Sequence, residues 1–432
     1  MHYYLIVETD ITQHRYLQKI ESELDMNFID YIQEYIEEGN TNSQNLGLEI
    51  EHFAVDDKGN QIGFDEVTAL IEEIADKINA DILTQDGHSV GYINDDSAIT
   101  LEPSCQIEIS IKPISNLSKI RKIYDEFLAL WVEPLRIRGY ELITKGNLPL
   151  VESGEITPDE IPLSDKKRYQ YMDRYFQESG RYGRYMMRAS ASTQVSVDYQ
   201  SEEDLVLKLR VLQKISPILM IMMESKSYPN STMKDASDAP HLLRIQQWDD
   251  LDPDRTGFFP NSFDDDFGYR SIAKTVYNTP LILVTDEGDT RYVGNKSAAD
   301  LFADGTIKEE ELDDDRRRDL IEHFMSMEFF HFRIKKYIEI RIADSVPIDK
   351  ALGYVALLKG IVYSEDNLKA IDEKLGDINS IDLINEAIRS IEHDGVDAKI
   401  YHNKSVAFWA DYLTNLANNS LSESDKEYLA NV

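Results

Sequence analysis

Four segments of this chain alternate apolar and polar side chains at every second position, and the polar side carries carboxylates. In Gly47-Leu-Glu-Ile-Glu51, Glu49 and Glu51 project one way and Leu48 and Ile50 the other. From Gln106 to Ile111 the pattern recurs, with Glu108 and Ser110 opposite Ile107, Ile109 and Ile111. Ser190, Ser192, Gln194, Ser196 and Asp198 share one side of a third segment. Tyr337, Glu339 and Arg341 share one side of a fourth, opposite Ile338, Ile340 and Ile342. A period of two is the strand period, because successive strand side chains point to opposite faces. Strands with one apolar and one polar face pair antiparallel over a core.

Strands are expected at 47–55, 98–101, 106–112, 190–199 and 335–343, and the segments between them change period. Residues 11–38 read as an acidic helix ending at Gly39-Asn40, and 56–60 as a turn. Residues 65–79 form an amphipathic helix with Val67, Leu70, Ile71, Ile74 and Ile78 on one stripe. Longer helices are expected at 117–138 and 203–224, the second kinked by Pro217, which has no N–H to give. Residues 244–263 are turn-rich and acidic. After Pro347 the pattern is helical, at 350–363, 381–393 and 405–418. The expected fold class is α+β, an antiparallel sheet backed by helices with a helical C-terminal part. Residues 1–365 would form the sheet-bearing domain and 366–432 a helical extension packed on it.

Charge limits the partners. The 432 residues hold 45 Lys+Arg against 80 Asp+Glu, a formal net charge of −35. Nucleic acid and anionic membranes would be repelled, so neither is an expected partner. A nucleotide remains admissible where metal ions mediate. One cysteine, Cys105, excludes an internal disulfide framework and any cysteine-based zinc site, and it reads as a small buried filler. The N-terminal MHYYLIVETD has no basic, then apolar, leader pattern. The most apolar stretch, 215–223, is about half a bilayer span. A cytoplasmic protein, monomeric or homodimeric, is expected.

The plain alternative for the acidic strand faces is a solvated outer surface. Two details oppose it. The acids recur without lysine at i±2, and several carboxylates on one sheet face repel one another unless a cation lies among them. Hard oxygen donors with arginine nearby suit Mg²⁺ holding phosphates. Other chemistries fail on inspection: there is no G-x-x-x-x-G-K-[ST] loop, no G-x-G-x-x-G after a strand and no H-E-x-x-H. Asp250-x-Asp252-x-Asp254 opens like a calcium loop, but Arg255 stands where glycine is required. The 309–319 charge run reads as a solvated helix and the Met/Phe cluster at 324–332 as core; His323 and His331 default to structural roles.

An ordered series of segments resembles the glutamate–cysteine ligases of the type shared by plants and many bacteria. It comprises G-L-E-I-E-H-F (47–53), I-T-L-E-P-S-C-Q-I-E-I-S (99–110), R-Y-Q-Y-M-D-R-Y (168–175) and M-M-R-A-S-A-S-T-Q-V-S-V-D-Y (186–199). R-I-Q-Q-W-D-D-L-D-P-D-R-T-G-F-F-P (244–260), F-G-Y (267–269) with Pro280, and K-Y-I-E-I-R-I-A-D-S-V-P (336–347) complete it. The resemblance implies a glutamine-synthetase-like catalytic sheet and an ATP-dependent ligase using Mg²⁺, with Mn²⁺ as a substitute. Its substrates would be ATP, L-glutamate and L-cysteine, joined through a γ-glutamyl phosphate in the first step toward glutathione-type thiols.

Carried over residue by residue, the resemblance implies Glu49, Glu51, Glu108 and Glu339 as metal ligands, with Gln194 and Glu102 as lesser candidates. Arg341 and Glu339 would be catalytic, Arg341 by contacting phosphate. Arg244 would hold the glutamate α-carboxylate, Trp248 would wall the site, and Arg255, Ser190 and Ser192 would contact substrate. For Arg255 an ion pair within its own turn is an equal expectation. Departures concern the acceptor: Ser104-Cys105 replaces the family's Gly-Gly, Ser196 replaces an asparagine, and Asp173-Arg174 stands where Arg-Asn is common. A ligase of the same fold joining glutamate to a different amine or amino acid is therefore the alternative. A non-catalytic relative would be expected to have lost metal carboxylates, and all four are present.

Overall fold

The computed structural model describes residues 27–228 and 240–432. The expected helix over 11–38 is therefore seen only from Phe28 to Glu37, where Asn27 and Asp30 cap its start reciprocally. Its earlier part and the N-terminal decapeptide lie outside the described residues.

One antiparallel sheet organises the chain. Its strands are β1 (Leu46–Val55), β2 (Asp81–Gln85), β3 (His88–Ile93), β4 (Ser97–Leu101), β5 (Ile107–Ile114), β6 (Glu141–Ile143), β7 (Ser192–Val197), β10 (Phe332–Ile334) and β11 (Ile338–Asp344). A separate hairpin is made of β8 (Pro280–Asp286) and β9 (Asp289–Ser297). Spatial order across the sheet is β10-β11-β7-β1-β5-β4-β3-β2, and β6 pairs with the end of β1. Leu48, Ile50, Ile107, Ile109, Val195, Ile338 and Ile340 are all fully buried, so the alternating isoleucines do form the core face.

The α+β class holds, with shifts at the ends of elements. β11 begins at Ile338 rather than Lys335, because Lys335 to Tyr337 turn the chain back from β10, with the Lys335 N–H donating to Tyr337 O at 2.9 Å. The helices Phe64–Ile78, Leu117–Ile137 and Glu202–Met222 lie where expected. Pro217 leaves the Gln213 carbonyl without its backbone donor, and Ser216 Oγ supplies one at 2.8 Å. The hairpins β2–β3 and β8–β9, and helices such as Lys167–Ser179, Gly183–Ala189 and Tyr269–Asn278, were not signalled by alternation.

Glu202–Met222 and Ile348–Val362 pack against β11, β7 and β1, and the later helices pack on these two. At the crossing of Ile348–Val362 with Val406–Ser420, a Cβ on Gly360 would lie 2.7 Å from the Ala417 Cα, so only glycine permits that approach. Leu368, Ile371, Ile384, Trp409 and Leu413 belong to the same buried cluster as the sheet. No described helix is long and apolar enough to cross a membrane.

Candidate active site

Register brings the polar faces of the four alternating segments together. Glu49 pairs with Gln194 across β1 and β7, Glu51 with Glu108 across β1 and β5, and Glu339 with Ser196 across β11 and β7. Above this face, the helices Lys167–Ser179, Gly183–Ala189 and Leu243–Asp249 supply further cavity-lining side chains. They and the sheet enclose a cavity of about 300 Å³. Five carboxylates line it, from Glu49, Glu51, Glu102, Glu108 and Glu339. So do five cations, from Arg168, Arg244, Arg333, Lys335 and Arg341. A larger hollow of about 570 Å³, between Asp254 and Pro280, holds none of these groups.

The charges are segregated. On the acidic wall, Glu51 accepts from Ser192 N and Ser192 Oγ, both at 2.7 Å, and from Gln194 Nε2 at 3.1 Å. Glu108 accepts from Thr100 Oγ1 at 3.0 Å and Ser110 Oγ at 3.1 Å. None of Glu49, Glu51, Glu102 and Glu108 forms an ion pair among the described residues. Burial, then the charges of Glu49, Glu102 and Glu51, push the Glu108 carboxyl well above the usual carboxylate range. Burial and Glu339 push Glu49 up to about 7, and burial and Glu102 raise Glu51.

On the basic wall the balance reverses. Glu339 Oε2 accepts from Arg333 Nε at 2.7 Å and Arg341 Nη1 at 2.9 Å, while Oε1 faces Lys335 Nζ at 3.2 Å. Burial alone would raise Glu339, but Arg333, Lys335 and Arg341 more than cancel it and hold the carboxyl well below its ordinary value. Glu339 too lacks lysine at i±2, yet it has counter-charges, from Lys335 at i−4, Arg341 at i+2 and Arg333 on the neighbouring strand.

Among the other expected site residues, Arg244 is buried in the cavity wall, with its Nη1 on Arg341 O at 3.1 Å and its Nε without a partner. The guanidinium groups of Arg244 and Arg341 lie 5.6 Å and 5.8 Å from the Trp248 ring centre. Such approaches are within cation–π range. Ser190 and Ser192 line the cavity, but their hydroxyls are engaged internally, Ser190 Oγ donating to Met186 O. The Gln194 carbonyl oxygen, expected to face a metal, accepts from Arg341. Arg255 does not reach the cavity. It is fully buried, with Nε on Asp252 Oδ2 and Nη1 on Pro280 O, both at 2.6 Å, because the turn that carries it folds inward.

Cys105 occupies the β4–β5 turn at φ +67°, the left-handed region that glycine enters freely, and its thiol is pushed up to about 12 by burial. Neither it nor Ser104 lines the cavity. Sequence reasoning missed Arg333, Lys335 and Arg168 as cavity residues. Arg333 and Lys335 have the parity of Glu339 and Arg341, and extending the alternation backward would have found them.

The donor set of the acidic wall is all oxygen and holds no ion pair among the described residues, which fits a hard divalent cation such as Mg²⁺. As the side chains stand, no three His, Cys, Asp or Glu groups among the described residues converge closely enough to hold an ion.

Known proteins place this architecture. Residues 45–376 match Glutamate-cysteine ligase family 2 (GCS2). The chain is 26% identical to chloroplast glutamate–cysteine ligase B of rice, Oryza sativa subsp. japonica, over 334 residues, covering 77% of this chain and 65% of that one. It is 25% identical to the chloroplast glutamate–cysteine ligase of Arabidopsis thaliana over 310 residues, covering 71% and 57%. The chain thus spans less than two thirds of the length of these relatives. The structure of a Francisella tularensis glutamate–cysteine ligase, solved with AMP, superposes over 90% of this chain and 81% of that one with a TM-score of 0.50 at 12% identity, a likeness of fold. The family match runs through the sheet and every cavity-lining strand, and by it this chain belongs to glutamate–cysteine ligase family 2.

Proposed function

We propose that the chain is an ATP-dependent ligase joining the γ-carboxylate of L-glutamate to the amine of L-cysteine. The observation that carries this reading is the meeting of five carboxylates and five cations in one cavity, in a chain of this family. In the reaction a γ-carboxylate oxygen of glutamate takes the terminal phosphoryl group of ATP, and ADP departs. The cysteine nitrogen then attacks the acyl carbon, phosphate leaves with the bonding electrons, and the nitrogen sheds a proton. No protein nucleophile is needed, in keeping with a cavity that holds no Cys or His.

Arg244 receives the glutamate α-carboxylate through its guanidinium, which Trp248 flanks. Arg341 lies at the seam between the walls and stabilises charge on the transferring phosphoryl group. Ser192 and Gln194 hold the Glu51 carboxylate in one orientation. Glu49, Glu51, Glu102 and Glu108 would hold Mg²⁺, which supplies charge neutralisation to the phosphates when bound. Residues 1–365 form the catalytic unit in this reading, with the later helices as its buttress.

The test is phosphate release from ATP and Mg²⁺ with L-glutamate against a panel of amines, with product masses recorded. Release that requires both glutamate and cysteine, with a γ-glutamylcysteine mass, is the expected result. Release with another amine would rename the acceptor, and no release with any amine would sink the reading.

A further inference from the structure

The two walls treat the same residue type differently, and the difference points to how the site fills. Glu339 is about 1% exposed, and both of its oxygens are already engaged by cations. Arg333 and Lys335 reach it from the β10–β11 hairpin, where Arg333 and Glu339 are register partners. Across β7, Glu49 has no such partner, and the rest of the acidic wall is held only by hydroxyls and amides. A divalent ion drawn to Glu339 meets these cations first and binds well only where they let go. A buried cation stripped of its carboxylate is costly, so they can let go only toward another anion. The group that can accept an arginine fork and an ammonium together, and that travels with a divalent ion, is a triphosphate.

Building on the ligase reading above, we infer that Arg333 and Lys335 are stand-in counter-ions for Glu339, surrendering it to metal only when nucleotide phosphates take them. Metal and nucleotide then bind this wall as a coupled pair. The coupling is reciprocal: the factor by which metal tightens nucleotide is the factor by which nucleotide tightens metal. Arg333 and Lys335 are positioning residues while paired with Glu339 and phosphate contacts once they leave it.

This arrangement makes a prediction contrary to simple loss of a ligand. Removing the Glu339 charge frees the two cations in advance, so metal-free nucleotide binding should tighten. A non-hydrolysable ATP analogue is titrated calorimetrically into the full chain with chelator present, then with Mg²⁺. Glu339→Gln is expected to bind the analogue about tenfold tighter than the parent in chelator, within the roughly 5–150-fold span of ordinary couplings. It is also expected to gain less than the parent from added Mg²⁺. Equal or weaker metal-free binding by Glu339→Gln, beside Mg²⁺-dependent binding by the parent, overturns the inference and leaves the ligase reading standing. No binding by the parent under either condition overturns both. Should Glu339→Gln fail to fold, Arg333→Gln tests the same coupling from the other side. It should bind Mn²⁺ alone more tightly than the parent, read by the loss of free Mn²⁺ resonance, and unchanged Mn²⁺ binding overturns the inference.

Discussion

Glu108 and Glu339 line one cavity on one sheet, yet their surroundings drive them in opposite directions. Glu108 is ringed by other carboxylates and hydroxyls and is pushed far above the ordinary range. Glu339 is equally inaccessible, but three cations hold it far below. Desolvation acts on both, so burial alone does not decide the state of a buried acid; the identity of its nearest charges does. The acidic wall has hydroxyls and amides for its nearest partners, whereas the basic wall carries its own cations.

Three measurements would break or sharpen this contrast. The largest effect belongs to the seam between the walls. Arg341→Gln should lower kcat for phosphate release by about 10²–10³-fold, the usual cost of losing a preorganised contact to transferring charge, and near-parental turnover would remove Arg341 from the chemistry. Next is Arg244→Ala. A charged hydrogen bond contributes about 1.5–3 kcal/mol, so the KM for glutamate should rise by roughly 10–100-fold with the KM for ATP little changed. Equal changes in both would place the glutamate site elsewhere.

The last effect is on stability alone and probes a carboxylate behind the basic wall. Glu328 is fully buried, neither oxygen has a hydrogen-bond partner, and burial pushes it up to about 8 against the pull of Arg333 and Arg255. Its folded value lies above the unfolded one, about 4.3. The stability it contributes is therefore complete below that unfolded value and is lost as pH rises through about 8. Glu328→Gln should be nearly neutral at about pH 5 and stabilising by on the order of a few kcal/mol at about pH 9. Thermal midpoints that differ by the same amount at both pH values would contradict a neutral Glu328.

Much of the acidic wall was legible because strand alternation is a local property. Glu49, Glu51 and Glu108 sit on period-two runs with isoleucine partners, and the register then had little freedom, since a one-residue slip would bury every carboxylate in the core. The basic wall was less legible. Arg333 lies on a three-residue strand among phenylalanines that read as core, and Lys335 lies in a turn that interrupts the alternation. Arg255 shows the converse limit. Its motif was plain, but whether a turn faces into a cavity or into the core depends on Pro280 and Met327, contacts distant in sequence. Ser104-Cys105 looked like a change at the acceptor, and only the fold reveals that these two residues stay out of the cavity while Glu102, Pro103 and Gln106 beside them line it.

The evenness of the cavity's charges, five against five, has a kinetic side. The formal net charge of −35 therefore lies outside the cavity, so on the ligase reading an anionic substrate would meet repulsion on balance before it reached the cavity's arginines. That repulsion fades over a Debye length, about 8 Å at physiological ionic strength, while contacts inside a partly enclosed cavity are screened far less. On the ligase reading, encounter would thus be the salt-sensitive stage and retention the salt-tolerant one, so added salt would speed the arrival of anionic substrates more than it loosened their hold.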